Sequence, residues 1–133
     1  MARVHRLTHP HLGVASWKEM EKFIFEFRKR TGVRLCAWCH SVVSQGLRTR
    51  CGKRFCNEML WQAQSWNRCA TVALRKADWK CRKCGRRAEE VDHKVPVCLG
   101  GTGDQHNLRP LCLGCHKEAT RKLRKEKAAY VAA

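Results

Sequence analysis

Residues 81–120 read CRKCGRRAEEVDHKVPVCLGGTGDQHNLRPLCLGCHKEAT, and they hold most of the side chains in the chain that could do chemistry. Cys81-x-x-Cys84 and Cys112-x-x-Cys115 are two thiol pairs at knuckle spacing, and together they supply the four soft donors of a tetrahedral zinc site. Between the knuckles lie Asp92 and His93, then a Gly100-Gly101 turn and Asn107, and His116 follows the last thiol directly. A structural zinc explains none of these features. An imidazole near its reference pKa of about 6.5 is largely neutral at pH 7 and can accept a proton, which suits His93 to general-base work. A carboxylate and an imidazole, Asp92 and His116, with water or substrate oxygens filling the sphere, suit Mg²⁺, Mn²⁺ or a similar divalent ion.

A second thiol quartet lies upstream in CAWCHSVVSQGLRTRCGKRFCNEMLW, residues 36–61, where Cys36-x-x-Cys39 is followed by Cys51 and Cys56. Four thiols so close together suit a second tetrahedral zinc, although the Cys51-x4-Cys56 spacing is looser than a usual knuckle. Of the ten cysteines two remain, and both are read as non-ligands: Cys69 as a small buried hydrophobe and Cys98 as a free loop thiol. The opening MARVHRLTHPHLGVASW mixes bases and histidines where a secretion signal would run apolar, and no stretch has the length and apolarity of a membrane span. The expectation is an intracellular chain with no membrane association, whose thiols bind metal instead of pairing as disulfides.

The chain has 133 residues, with 28 Lys and Arg against 11 Asp and Glu, so its formal charge is +17. Two zinc-thiolate centres at −2 each would still leave it strongly cationic. The excess is spread almost evenly, +5 over 1–35, +6 over 36–80 and +6 over 81–133, so the whole molecule is suited to a polyanion. With aromatics at 8% and a mean hydropathy of −0.54, apolar burial leaves thin margins at this length, and metal has to supply the difference.

The elements that must position these groups can be placed in outline. Ser16 and Glu19 form a capping-box pattern, and Trp17, Met20, Phe23, Ile24 and Phe27 recur at helical spacing up to Gly32, which predicts a packing helix over 17–30. Residues 1–15 read as a loosely ordered basic arm with solvated His5, His9 and His11. Asn57 is placed to cap a helix carrying Met59, Leu60 and Ala63, and another helix is predicted from about 66 to 77. Strands are expected near 88–93 and 108–112, with a basic helix over 116–127. Adjacent strand residues face opposite ways, so Asp92 and His93 serve one site only if the strand ends or bends there; Pro96 and the glycines beyond it supply that bend.

The combination Cys-x-x-Cys, Asp-His-x-x-Pro, Gly-Gly, Asn-Leu and Leu-Cys-x-x-Cys-His resembles the HNH endonucleases of the His-Me finger superfamily, in the subgroup whose ββα-metal motif is braced by a Cys₄ zinc. The likeness covers about 40 residues, and the upstream thiols resemble a module that precedes this domain in some members. It implies a general base at His93, a catalytic divalent metal at Asp92 and His116, and an orienting role for Asn107, whose amide ties the loop that holds His93. Lys94 and Arg109 are candidates for phosphate contact, or equally solvated strand charges.

The expected fold is therefore α+β, a small zinc-stabilised ββα-metal domain over 81–133, preceded by an arm and helix over 1–35 and a zinc module over 36–80. The expected function is metal-dependent hydrolysis of DNA phosphodiester bonds, nicking or cutting to leave 5′-phosphate and 3′-hydroxyl ends. Two other readings stand beside it: a non-catalytic zinc DNA-binding module, and an accessory nuclease that acts only within a DNA packaging or repair complex.

Overall fold

The computed structural model describes residues 6–43 and 50–132, and it is a small mixture of helices and strands. Two compact units divide the chain: Met1–Cys69 with Thr102–Asp104, and Ala70–Gly101 with Gln105–Ala133.

The first unit opens with an antiparallel hairpin of β1 (Arg6–His9) and β2 (Gly13–Ser16), with Arg6 opposite Ser16 and His9 opposite Gly13. This corrects the loose arm expected there, because the alternation that makes a strand is present and short: Leu7 and His9 both point inward and are fully buried, and Ala15 joins them. His9 is not solvated. Its Nδ1 accepts from the backbone N–H groups of His11 and Leu12, so Nε2 carries the proton and donates to the Ala37 carbonyl at 3.0 Å. Burial lowers its pKa, which keeps the ring neutral and both nitrogens committed. His5 lies outside the described residues.

α1 (Trp17–Thr31) starts where the capping pattern places it: the Ser16 hydroxyl accepts from Glu19 N–H, and the Glu19 carboxylate accepts from Ser16 N–H. That backbone hydrogen bond is the main reason the Glu19 carboxyl lies below its ordinary pKa. Gly32 ends the helix in the left-handed region, φ 74°, and its N–H donates to Arg28. Met20 and Ile24 are the buried face. α2 (Arg54–Gln64) begins before Asn57, with Lys53 in the cap position and Cys56 inside the first turn, so the thiol rather than the asparagine marks the helix start. α3 (Trp66–Lys76) matches the predicted stretch. Arg68 pairs with both carboxylate oxygens of Glu58 at 2.9 Å and lies over the Trp61 ring, which ties α2 to the start of α3. Cys69 is fully buried with its thiol pushed up to about 12 by burial, the state of an inert core residue.

Asp104, which has no motif around it, holds the hairpin to the segment 102–104. Both its oxygens accept from Thr8 N–H at 3.0 Å, and the hydroxyls of Thr8 and Thr102 also donate to it, with Gly103 N–H donating to Arg6. Its side chain is nearly buried. Replacing it with alanine removes the acceptor shared by Thr8 N–H and two hydroxyls, and Asp104→Ala should cost about 1–3 kcal/mol of stability, read from denaturant unfolding. A loss below about 0.5 kcal/mol would show that water replaces the carboxylate.

In the second unit β3 (Glu90–His93) pairs antiparallel with β4 (Leu108–Leu111), and α4 (Leu113–Ala132) packs against both strands. Strand, strand and helix in this order make a ββα finger. α4 starts three residues earlier than predicted. Cys112 occupies its cap position: the thiol accepts from Cys115 N–H, and the carbonyl accepts from His116 N–H at 2.9 Å.

Candidate active site and metal centres

Each cysteine quartet is built from a tight knuckle and the first turn of a helix. In the first, Cys36 N–H donates to Ser41 O (2.8 Å), His40 N–H to Cys36 O (3.0 Å) and Val43 N–H to Arg34 O (2.8 Å). In the second, Cys81 N–H donates to Arg86 O (2.6 Å), Gly85 N–H to Cys81 O (2.9 Å) and Ala88 N–H to Trp79 O (2.7 Å). Isolated bridges Leu35–Val42 and Lys80–Arg87 close the two loops. Every partner is shifted by the same interval, 36 to 81 and 43 to 88, so one ten-residue knuckle is used twice. The turn needs a residue in the left-handed region after its second thiol, met by Gly85 (φ 76°) and by His40 (φ 59°).

Cys36, Cys39, Cys51 and Cys56 bring their Sγ atoms within 4.8 Å of one another, and so do Cys81, Cys84, Cys112 and Cys115. Zinc–sulfur bonds of about 2.3 Å in a tetrahedron put sulfurs about 3.8 Å apart. The Cys39–Cys51 separation is 3.8 Å and Cys84–Cys112 is 3.5 Å, and all ten thiols are unbridged. Both quartets therefore fit a zinc ion. Thiols in both quartets are pulled toward ionisation: Cys39 in the first, and in the second Cys81 and Cys112, the last lowered chiefly by the hydrogen bond from Cys115 N–H. Burial raises Cys39, but hydrogen bonds from Ser41, from Cys36 and from Cys56 outweigh it and bring the thiol to about 6. Cys81 reaches about 6 in the same way, burial being outweighed by backbone hydrogen bonds around Cys112, Cys84 and Lys83. Burial and then Cys51 push Cys56 up to about 12, and the hydrogen bond from Cys112, followed by burial, pushes Cys115 up.

Beside the first knuckle, the His40 ring is sandwiched between His11 (centroids 4.5 Å) and Phe23 (4.9 Å), with His9 at 4.9 Å. Burial and then the two histidines lower its pKa to about 4, so the His40 ring is uncharged at neutral pH. The sequence signal for it was His40 filling the slot after Cys-x-x-Cys.

In the second unit the register places Asp92 opposite Arg109 and His93 opposite Leu108. β3 ends at His93, and the chain bends directly after it, at Lys94 and Val95. Asp92 is half-buried, and its Oδ2 accepts from Arg109 Nη2 at 3.1 Å, which leaves Oδ1 as the second donor of the carboxylate. Asn107 is 6% exposed and grips the bend at two points: Oδ1 accepts from Val95 N–H at 2.9 Å, and Nδ2 donates to Val95 O at 3.2 Å. Its own carbonyl accepts from Lys94 N–H at 2.7 Å. His116 lies on the first turn of α4, next to Cys115, on the helix that packs against β3. Asp92 and His116 are the ligand types a hard divalent ion takes when water or phosphate oxygens fill the rest of its shell, and among the described residues only the two cysteine quartets bring three or more candidate metal donors together. Cys98 is exposed on the short helical turn Val97–Leu99, outside both quartets.

Gly101 was read as part of a turn, and it does more. A Cβ there would collide with the carbonyl oxygens of Val95 and Pro96, and Gly101 N–H donates to Pro96 O at 3.0 Å. The Val95 carbonyl is thus approached closely by Gly101 and also accepts from Asn107 Nδ2. Gly101→Ala should displace the bend that follows His93 and lower any activity of the site at least ten-fold, with zinc content unchanged; parallel measurement of turnover and bound zinc checks both halves.

Residues 81–122 match the family described as HNH endonuclease. No curated protein and no solved structure gives a significant match to the chain.

Proposed function

With residues 81–122 matching the HNH endonuclease family, we propose that the protein is a metal-dependent endonuclease that hydrolyses DNA phosphodiester bonds, with its nuclease domain over 81–133. The observation that carries this reading is the clamp of Asn107 on Val95, which fixes the chain directly after the Asp92-His93 pair at the end of β3. A divalent cation held by Asp92 and His116 would supply positive charge at the scissile phosphate. His93 accepts a proton from the attacking water as its oxygen bonds to phosphorus. The P–O3′ bond then breaks, leaving a 5′-phosphate, and the departing O3′ takes up a proton to become the 3′-hydroxyl. Asn107 positions His93, and Arg109 fixes the Asp92 carboxylate from the neighbouring strand. The cationic surface holds the backbone: log affinity should fall linearly with log salt, whatever the base sequence, and binding indifferent to salt would remove charge as the main contribution.

Incubation of supercoiled plasmid with the zinc-loaded protein, with and without Mg²⁺ or Mn²⁺, tests the reading. Nicks or breaks that require the divalent ion and end in 5′-phosphate support it. Binding without cleavage under either metal overturns it in favour of a zinc DNA-binding module, and cleavage only after a partner is added would make the chain an accessory nuclease. Among the described residues, no helix is long and apolar enough to cross a membrane.

A further inference from the structure

The first unit contains a cavity of about 430 Å³ that the nuclease reading does not use. One wall is a stripe of α1, where Trp17, Ile24 and Phe25 recur at helical spacing. The opposite wall is the chain entering the first knuckle, with Leu35 and Ala37. Phe25 is 66% exposed, so its ring face is free to be stacked on. Four cations, Lys18, Lys22, Arg28 and Arg34, stand around these apolar walls against Glu21 in the lining and Glu26, which pairs with Lys22 at 4.0 Å. Arg34 adds an independent observation: its Nη1 is buried and has no hydrogen-bond partner among the described residues, although a guanidinium N–H out of water normally finds an acceptor.

An apolar slot with aromatic walls, a cationic rim and a buried donor lacking an acceptor matches a planar ring attached to a phosphate. It does not match an apolar peptide, which would leave Arg34 without an acceptor and bring no charge to the cationic rim. We infer that this cavity binds one unstacked nucleobase of single-stranded DNA, with the base against Phe25 and Trp17 and a flanking phosphate on Arg34 and the lysines. Bases within a duplex are stacked on one another and cannot enter, so the cavity discriminates unpaired from paired strands without reading sequence. The inference rests on the proposed function only in taking DNA as the polyanion.

The test is fluorescence anisotropy with a labelled oligo-dT and a duplex of equal length, at fixed salt and without added Mg²⁺ or Mn²⁺, so that neither outcome depends on cleavage. Phe25→Ala removes an exposed ring, and a thermal scan confirms that the chain is still folded. Expected is a loss of roughly 5- to 100-fold in affinity for oligo-dT, little change for the duplex, and recovery in Phe25→Tyr, which keeps a ring to stack on. Arg34→Gln should weaken oligo-dT binding as well, with a shallower salt dependence. The inference is overturned if Phe25→Ala binds oligo-dT like the parent, or if both forms of DNA weaken equally; the cavity would then belong to a protein partner or a second copy of the chain. A chain that binds oligo-dT in the expected way and never cuts DNA would overturn the nuclease reading alone.

Discussion

His93→Ala should give a folded, zinc-loaded protein whose cleavage of DNA is slower by roughly 10²- to 10⁴-fold. The size follows from the role, since a positioned general base contributes about 3–5 kcal/mol to the barrier. The preserved fold follows from the position. His93 is the last residue of β3, its pairing with Leu108 is made by main chain, and it belongs to neither cysteine quartet. Its removal therefore opens no core and frees no zinc. Asn107→Ala provides the contrast: a nearly buried amide with two bonds to Val95 is lost, so both stability and turnover should fall. Turnover on a nicked-product gel, set beside thermal unfolding and elemental zinc analysis, separates the two variants. A folded His93→Ala protein with full activity would end the catalytic assignment.

Stripping zinc should have the largest effect on the fold itself. Structural zinc in small modules contributes about 10–16 kcal/mol of apparent binding energy, while a domain of this size has about 5–15 kcal/mol of net stability, so metal and fold depart together. Elemental analysis should find close to two zincs per chain, and strong chelation should abolish the cooperative unfolding transition. Cys36→Ser and Cys81→Ser, both at nearly buried ligands, should each lose one zinc and disorder the unit that holds it. A native chain that carries a single zinc would remove the Cys36 quartet from the metal sites.

How much of this could be read from residues alone depended on whether a partner was local in sequence. Ser16, Glu19 and Gly32 bounded α1 correctly because helix caps bond to groups three or four positions away. The strands around Asp92 and Arg109 were legible from the knuckles that bracket them. The hairpin over 6–16 was missed because its alternation is two residues long per face and one of its buried positions is a histidine. The starts of α2 and α4 were misplaced because cysteines occupy the first turns, and metal-ligand turns overrule ordinary capping residues. At the candidate site, Asp92, His93, Asn107 and His116 were named by residue type and resemblance, which also implied that the Asn107 amide ties a loop; that its partner is the backbone of Val95 had no signal in the sequence. Gly101 and Asp104 stayed invisible for the same reason: one is defined by the carbonyl it must not touch, the other by the donors that converge on it.

The knuckle that appears twice also sets an order of assembly. Each copy closes on itself through neighbours, but its metal is complete only when a distant helix turn arrives, and that distance differs: Cys51 lies 12 positions after Cys39, whereas Cys112 lies 28 after Cys84. The entropy of joining chain ends grows with the logarithm of the intervening length, which makes the second closure costlier by about 0.8 kcal/mol, close to four-fold in a rate or an occupancy. When zinc is scarce, the amino-terminal quartet should therefore load first and the unit bearing Asp92 and His93 last, an order that stepwise zinc titration followed by mass spectrometry of the partly loaded chain would check.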